Sequence, residues 1–322
     1  MSAFLTTVIA AILGCATGRH EGPPPVWVEP AAAVGVEHQV GSFRGEGELE
    51  LFTQSWRPEG PVRAALVVVH GLRDHSSRYA EAAVGLAQEG VAVHAFDLRG
   101  HGRSPGERVY IDHFAEYQMD LGRFVAQVRA REPGVPVFLM GHSMGGAIVT
   151  SYVLEQRPEV AGVILSAAAL QPGRDLSPTL IRVTKRLGDR HPRWRVLKLK
   201  PRWFSRDPEV VRENAKTDPL IDRRAAPART AAELLRTLEQ IGASMEQLQV
   251  PLLILHGSAD RITDPTGSQA LHRRAGSPDK TLTLYPGLYH DLLHEPERTV
   301  VLAEISDWLV ARAPGLPHLP HQ

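Results

Sequence analysis

Short apolar runs recur along the chain from about residue 40 onward, and longer amphipathic segments separate them. Because the runs are continuous rather than alternating, they are typical of strands buried on both faces. The predicted strands lie at residues 64–69, 91–96, 135–140, 160–165, 250–255 and 281–285. Segments with helical periodicity lie between or after them, at residues 79–88, 114–131, 144–156, 265–274 and 298–311. This alternation predicts an α/β fold, a mostly parallel central sheet flanked by helices, and an alternating segment near residues 41–56 predicts an earlier hairpin.

One internal segment departs from this alternation. Residues 171–249 contain no convincing buried strand, and their composition shifts to Arg, Lys, Pro and Trp, with helical stretches such as residues 231–248. We therefore expect a helical cap at 171–249, inserted into a hydrolase-type core formed by residues 39–170 and 250–314. Residues 315–322 are expected to form a C-terminal tail.

The N-terminus has the pattern of an export signal. Residues 1–18 carry no charged side chain, and the apolar stretch at residues 4–13 is shorter than the roughly 20 residues of a bilayer span. It leads into Ile-Leu-Gly-Cys, which resembles a bacterial lipobox, and Cys15 would then be lipidated. We expect an exported, membrane-anchored lipoprotein with a Pro/Ala-rich tether at residues 19–38. No Lys or Arg precedes the stretch, so an uncleaved anchor, a secreted form or a mis-assigned start codon remain alternatives, and a leader that is not a signal implies a cytoplasmic protein.

Composition and charge exclude several classes of function. The 322 residues include 36 basic and 36 acidic side chains, so no overall field favours nucleic acid as a partner. Cys15 is the only cysteine, which excludes an internal disulfide and a cysteine-based metal cluster.

A nucleophile elbow is indicated at residues 141–145. The sequence Gly141-His142-Ser143-Met144-Gly145 has the G-x-S-x-G pattern and lies between a predicted strand and a predicted helix, which is the context that the motif requires. At so sharp a turn, a Cβ at Gly141 or Gly145 would clash with neighbouring backbone. Ser143 is therefore the candidate nucleophile.

A serine nucleophile needs a histidine base and an acid that orients it. Asp260 follows the predicted strand at residues 250–255, and His290 follows the last predicted strand. Asp264 is the alternative acid, but it precedes a proline and suits a helix N-cap. His294 is the alternative base.

Backbone N–H groups must stabilise the oxyanion that forms during ester cleavage. One donor is expected from Met144, directly after the nucleophile, and the other from Leu72, in the loop that follows an early strand. We interpret His70, in the same loop, as a structural hydrogen-bonding residue.

Six sequence blocks resemble the monoacylglycerol lipase and lysophospholipase branch of the α/β hydrolases, which includes serine aminopeptidase S33-like domains. They are HGLRDHSSRY at 70–79, FDLRGHGRSPGERVYIDHFAEYQMD at 96–120, GHSMGG at 141–146, AKTDPLI at 215–221, HGSADRITDP at 256–265 and LYPGLYHDLLHE at 284–295. The resemblance implies cofactor-free hydrolysis of a monoacylglycerol or lysophospholipid. It places the triad on Ser143, Asp260 and His290, and the oxyanion donors on Leu72 and Met144.

The resemblance is weakest where substrate choice would be made. Leu72 stands where many members have a smaller residue, and the cap is the least matched region. A lysophospholipase or general carboxylesterase is therefore the alternative within the class. Thioesterase and peroxidase-type activities also remain open, whereas epoxide and haloalkane chemistry needs a carboxylate at the position of Ser143. An inactive hydrolase-fold lipid-binding protein is the alternative outside the class.

The cap carries a basic aromatic segment at residues 174–206. Its basic residues are Arg174, Arg182, Lys185, Arg186, Arg190, Arg193, Arg195, Lys198, Lys200, Arg202 and Arg206, opposed within the segment by Asp175 and Asp189. Trp194, Trp203 and Phe204 lie among them. Such a surface is typical of peripheral contact with anionic lipid, although a solvated charged face whose rings pack on the core explains the pattern equally well.

Overall fold

The computed structural model describes residues 33–172 and 177–313, so the predicted leader, Cys15 and the predicted tail at 315–322 lie outside the described residues. An eight-stranded sheet forms the centre of the described chain. Its strands are β1 (Val36–Arg44), β2 (Glu50–Pro58), β3 (Ala64–Val69), β4 (Val91–Phe96), β5 (Val137–His142), β6 (Gly162–Ser166), β9 (Leu252–Gly257) and β10 (Lys280–Tyr285). Their order across the sheet is β1-β2-β4-β3-β5-β6-β9-β10. A two-stranded ladder in the cap consists of β7 (Arg195–Leu197) and β8 (Ala226–Pro227).

Helices cover both faces of the sheet and form most of the cap. They are α1 (Ala80–Gln88), α2 (Ala115–Arg131), α3 (Met144–Gln156), α4 (Pro178–Arg190), α5 (Pro208–Arg212), α6 (Ala228–Ser244), α7 (Pro265–Arg274) and α8 (Arg298–Val310). Within residues 33–172 and 177–313, none is both long and apolar enough to cross a membrane.

The parallel strands end together at one edge of the sheet. Strands β3 to β6, β9 and β10 run parallel, and only the hairpin β1–β2 is antiparallel to its neighbours. Paired positions such as Val69 with Gly141 and Ser166 with Leu255 fall at or near strand ends. Since every residue of β3, β4, β5, β6 and β9 is buried, the continuous apolar runs follow from burial on both faces. Ligands in such sheets bind beyond the carboxyl ends of the strands.

The predicted α/β architecture is confirmed, with shifts at strand starts. Strands β5 and β9 begin two residues later than predicted, directly after Pro136 and Pro251. Proline has no N–H to donate to a ladder, so it lies at or before the start of an internal strand. At the N-terminus, β1 begins at Val36 and takes in the last three residues of the predicted tether.

The cap is mainly helical but also contains the short ladder β7–β8, which the sequence did not reveal. Strands of two and three residues are too short to show a period of two. Helix α4 packs closely on α6 because residue 188 is glycine: a Cβ there would lie 2.5 Å from the Cβ of Ala232. Helices α4 and α6 therefore pack directly against each other in the cap.

Candidate active site

Ser143 occupies the sharp turn between β5 and α3. Its backbone has φ 53° and ψ −119°, an uncommon conformation for a residue with a side chain. Hydrogen bonds hold this turn: the N–H of Ser143 donates to the carbonyl of Ser166 at 3.1 Å, and its carbonyl accepts from Ala169 at 2.9 Å. Strain of this kind persists only where the surroundings impose it, and it clusters at functional sites.

Close backbone approach explains the two glycines of the elbow. A Cβ on Gly141 would lie 2.5 Å from the carbonyl oxygen of Gly145, and one on Gly145 would lie 2.1 Å from that of Val69. Neither contact is sterically possible. Both positions therefore require glycine for space.

His290 and Asp260 form a short hydrogen bond. Nδ1 of His290 lies 2.7 Å from Oδ2 of Asp260, and both side chains are buried. Since the carboxylate can only accept, the proton lies on Nδ1 and Nε2 keeps its lone pair. The His290 ring lies 4.8 Å from that of His142, the residue before Ser143. The structure thus brings the three predicted triad residues to one edge of the sheet.

Gly257, at the end of β9, allows the two loops of this pair to meet. A Cβ at Gly257 would lie 2.2 Å from the carbonyl oxygen of Tyr289 and 2.4 Å from that of Leu288. The chain that carries His290 therefore rests directly on the end of the strand that leads to Asp260.

Asp260 also receives hydrogen bonds from residues that the sequence analysis did not identify. Its Oδ2 lies 3.2 Å from Nε2 of the buried His256 and accepts from the hydroxyl of Thr263 at 2.7 Å. Its Oδ1 accepts from the N–H groups of Ile262 and Thr263 at 2.7 and 3.1 Å. Burial alone would raise the pKa of Asp260, but the electrostatic interaction with His290 and the hydrogen bond with His256 hold that pKa well below its usual range. The acid therefore stays ionised.

The chain offered one signal for His256. It precedes a glycine at the end of a buried strand, as His70 does after β3. Nδ1 of His256 lies 2.7 Å from the hydroxyl of Ser268. If that hydroxyl donates, Nε2 carries the proton that faces the carboxylate, so Ser268 fixes the tautomer of His256.

The two rival residues have other contacts. Asp264 is the N-cap of α7, where its Oδ1 accepts from the N–H of Thr266 at 2.9 Å, as its position before a proline predicts. His294 lies 2.7 Å from Oδ1 of Asp291 through Nδ1 and bonds the carbonyl of Arg78 through Nε2. Neither contact joins the Asp260–His290 pair.

The loop after β3 lies against the elbow. A Cβ on Gly71 would be 3.1 Å from the Cβ of Ser143, which places the adjacent Leu72 beside the serine. His70 is fully buried and accepts the N–H of Leu98 at Nε2, while its Nδ1 donates to the carbonyl of Gly71. This agrees with its interpretation as a structural residue. Met144 is the first residue of α3, and the N–H groups of the first helical turn have no partner in the regular helical pattern.

Three buried histidines are held neutral around this edge. Burial lowers the pKa of His70, that of His101 to about 3 and that of His142 to about 4, with nearby histidines adding to the effect. Each imidazole bonds a backbone carbonyl through Nδ1. Because these histidines are neutral, they add no positive charge that would oppose formation of the His290 imidazolium.

We expect the free energy of unfolding to fall as pH is lowered from 7 towards 5. A histidine in the unfolded chain has a pKa of 6.5 and binds a proton below that pH. In the folded protein, His142 stays neutral down to a pH of about 4. Each such histidine contributes about 1.4 kcal/mol per pH unit. Burial raises the pKa of Glu89 and of Asp120, which opposes the effect in part.

Urea unfolding at several pH values measures this slope. His142→Gln should make it shallower by about 1.4 kcal/mol per pH unit. Equal slopes in wild type and His142→Gln would show that His142 titrates normally.

The cap touches the histidine loop. The ring of Phe204 lies 5.8 Å from that of His290, edge to face, and its carbonyl accepts the N–H of Asp291 at 2.8 Å. Ser205 donates to the carbonyl of His294 at 2.9 Å. Residues from the cap thus form part of the surroundings of His290.

The basic aromatic segment is partly neutralised by acids from outside it. Lys185 pairs with Glu239, Arg193 with Glu107, and Arg206 with Glu295 and Glu297. These partners were not evident within residues 174–206, where the sequence analysis counted only two acids. Arg174 lies outside the described residues, together with Asp175.

The model of the family described as serine aminopeptidase, S33, matches residues 60–297. The chain belongs to this family. Its curated relatives include the monoacylglycerol lipase of Mycolicibacterium smegmatis, 37% identical over 84% of this chain and 96% of that protein, and the monoglyceride lipase of Rattus norvegicus, 36% identical over 81% and 87%. The crystal structure of Paleococcus ferrophilus monoacylglycerol lipase matches 82% of this chain and 99% of its own, with a TM-score of 0.72 and 31% identity. The fold is that of the α/β hydrolases.

Among residues 33–172 and 177–313, no group of three His, Cys, Asp or Glu side chains is arranged to hold a metal ion. That the enzyme works without a cofactor stays a prediction.

Proposed function

We propose that this protein is a serine hydrolase that cleaves monoacylglycerol into glycerol and a fatty acid. The observation that carries the proposal is the buried His290–Asp260 bond at the same sheet edge as Ser143, whose backbone has the strained conformation of a nucleophile elbow. Membership of a family whose relatives include proteins named monoacylglycerol lipase supports this substrate class.

The proposed cycle has two halves. Nε2 of His290 accepts the hydroxyl proton of Ser143 while the serine oxygen attacks the ester carbonyl, and Asp260 stabilises the resulting imidazolium. The N–H groups of Leu72 and Met144 stabilise the oxyanion. Glycerol leaves with the proton from His290, and an acyl-serine remains. Water then attacks the acyl-serine with His290 as base, which releases the fatty acid and restores Ser143.

Hydrolysis of a substrate panel tests the proposal. The panel contains monoacylglycerols of several chain lengths, lysophospholipids and short p-nitrophenyl esters, with Ser143→Ala as control. We expect long-chain monoacylglycerols to give the highest kcat/KM. Turnover of short soluble esters alone would make the lipid assignment wrong and leave the serine hydrolase chemistry intact, whereas no labelling by a fluorophosphonate probe would favour a lipid-binding protein without activity.

We also infer that the cap rests on anionic membranes. Arg182, Arg186 and Arg190 recur every four residues on α4 and are exposed, as they would be on one face of a helix. Val183 and Trp194 are 43% and 45% exposed and offer apolar contacts beside these charges. An interfacial surface of this kind combines cationic and apolar groups.

Liposome sedimentation measures this contact. Replacing the three α4 arginines by glutamine should weaken binding to vesicles that contain anionic lipid by about fivefold for each charge removed. The exposed Arg273→Gln on α7 is the matched control and should bind as wild type does. Equal binding of wild type to neutral and anionic vesicles would contradict an electrostatic contribution.

We further propose that the protein is an exported lipoprotein anchored through Cys15. The proposal rests on the apolar stretch at residues 4–13 and the lipobox-like sequence that ends at Cys15. Mass spectrometry of the protein from its own membranes should find a mature N-terminus at a diacylated Cys15, and none in Cys15→Ser. A peptide that retains Met1 would contradict export by this route.

A further inference from the structure

Arg73 has an unusual backbone and an incompletely bonded side chain. It directly follows the proposed oxyanion donor Leu72 and has φ 64°, a left-handed conformation uncommon for a residue other than glycine. The residue is only 7% exposed. Its Nε donates to the carbonyl of Asp222 in the cap, but its buried Nη1 has no hydrogen-bond acceptor among the described residues.

Two more arginines bond the cap segment at residues 220–225, and the segment itself contributes a further two. Together with Arg73 they form what we call the arginine cluster: Arg73, Arg108, Arg195, Arg223 and Arg224. Arg108 donates to the carbonyl of Leu220 at 3.5 Å and Arg195 to that of Ala225 at 2.9 Å. Nε of Arg223 is buried and, like Nη1 of Arg73, finds no acceptor in the part of the chain that is described.

Positive charge exceeds negative charge in the cluster. The carboxylate of Asp222 accepts from Arg224 at 2.6 to 3.2 Å. The nearby Asp218 carboxylate is engaged by His75 at 2.8 Å. The other four guanidinium groups donate to backbone carbonyls, which carry no full charge.

The cationic groups disfavour one another. Burial lowers the pKa of Arg73, and the neighbouring Arg223 lowers it further against the effect of Asp222. Burial and Arg224 also lower the pKa of Arg195, against the opposing effects of Asp222 and Glu107. Uncharged side chains could donate hydrogen bonds to the same carbonyl groups at a lower desolvation cost. Holding the cap segment in place therefore does not by itself account for five cations.

We propose that the arginine cluster binds the phosphate of an acylglycerol phosphate, so that the enzyme also accepts single-chain lipids with an anionic head group. Arginine suits this ligand because its planar fork donates two hydrogen bonds to phosphate oxygens. The Cα of Arg73 lies about 3.8 Å from that of Leu72, whose N–H is the proposed oxyanion donor at the ester. In the substrate, a glycerol unit would link this ester to the phosphate. This inference rests on the proposed function for the position of the ester.

Binding of soluble head groups tests the cluster without catalysis. Isothermal titration of the full-length Ser143→Ala protein uses sn-glycerol 3-phosphate, inorganic phosphate and glycerol. We expect glycerol 3-phosphate to bind more tightly than the other two, and Arg73→Gly in this background to weaken it about tenfold or more. Glycine suits φ 64°, so this variant should fold, and Arg73→Lys should restore part of the affinity. No measurable binding of glycerol 3-phosphate, or equal affinity for inorganic phosphate, would overturn the head-group site.

Activity provides the second readout. In Arg73→Gly with an active serine, the ratio of kcat/KM for 1-acylglycerol 3-phosphate to that for the matching monoacylglycerol should fall about tenfold or more. The side chain of Arg224 is 60% exposed, so Arg224→Gln should fold normally. This second variant should lower the same ratio, but less than Arg73→Gly does. An equal fall in kcat/KM for both substrates would show that the arginine cluster has only a structural role. If neither ester is hydrolysed while glycerol 3-phosphate still binds, the proposed function fails and the anion site stands.

Discussion

Replacing Ser143 by alanine should lower kcat for a monoacylglycerol about 10⁴-fold or more, because the hydroxyl oxygen is the atom that bonds the acyl group in the acyl-enzyme. The backbone of the elbow is held by hydrogen bonds of the Ser143 N–H and carbonyl, which alanine retains. We therefore expect Ser143→Ala to fold and melt close to the wild-type temperature. Steady-state hydrolysis and labelling by a fluorophosphonate probe measure the effect.

Ser151→Ala is the matched control for that variant. Ser151 is also buried, lies on α3 only two turns beyond the elbow, and donates to the carbonyl of Ile148 at 3.1 Å. Its removal should cost about 1 kcal/mol of stability and leave probe labelling intact. Labelling that persists in Ser143→Ala, or disappears in Ser151→Ala, would place the nucleophile elsewhere.

Burial explains which parts of the fold the sequence predicted well. Strands β3 and β4 have the predicted bounds because each is an apolar run with sharp limits. Helices α3 and α7 have the predicted bounds as well, since the elbow serine marks the start of α3, and an N-cap aspartate followed by proline marks that of α7. The ladder β7–β8 was missed because its pairing joins residues about thirty positions apart and gives no local pattern. Strand pairing of that kind depends on tertiary contacts.

The candidate site was predictable where one residue type is required by local geometry. Gly141, Ser143 and Gly145 stand out because a sharp turn permits few residues there. The charge of the arginine cluster was not predictable, since its arginines come from distant parts of the chain. His256 lies only four residues before Asp260, but no local pattern shows that its Nε2 faces Oδ2 of that residue. The choice of Asp260 over Asp264 lay between these cases. The proline after Asp264 is a local sign of a helix N-cap, whereas only the structure shows the hydrogen bond between Asp260 and His290.

Asp260→Asn should lower kcat about 10³- to 10⁴-fold through the tautomer of His290. Two backbone N–H groups, of Ile262 and Thr263, point at Oδ1 of Asp260 and require an oxygen there. The amide nitrogen of the variant must then take the position of Oδ2, 2.7 Å from Nδ1 of His290. Facing a donor, Nδ1 becomes the acceptor, so the proton moves to Nε2 and that atom can no longer accept the proton of Ser143.

The matched control is Asp264→Asn, four residues away. Asparagine caps helices about as well as aspartate, so this variant should keep both its stability and its kcat. Because the defect of Asp260→Asn lies in the tautomer, it should lower kcat far more than it raises KM, and the fluorophosphonate probe should label the variant slowly although Ser143 is present. Full activity in Asp260→Asn together with a loss in Asp264→Asn would reverse the assignment of the acid, and a change in KM alone would show that Asp260 acts in substrate binding.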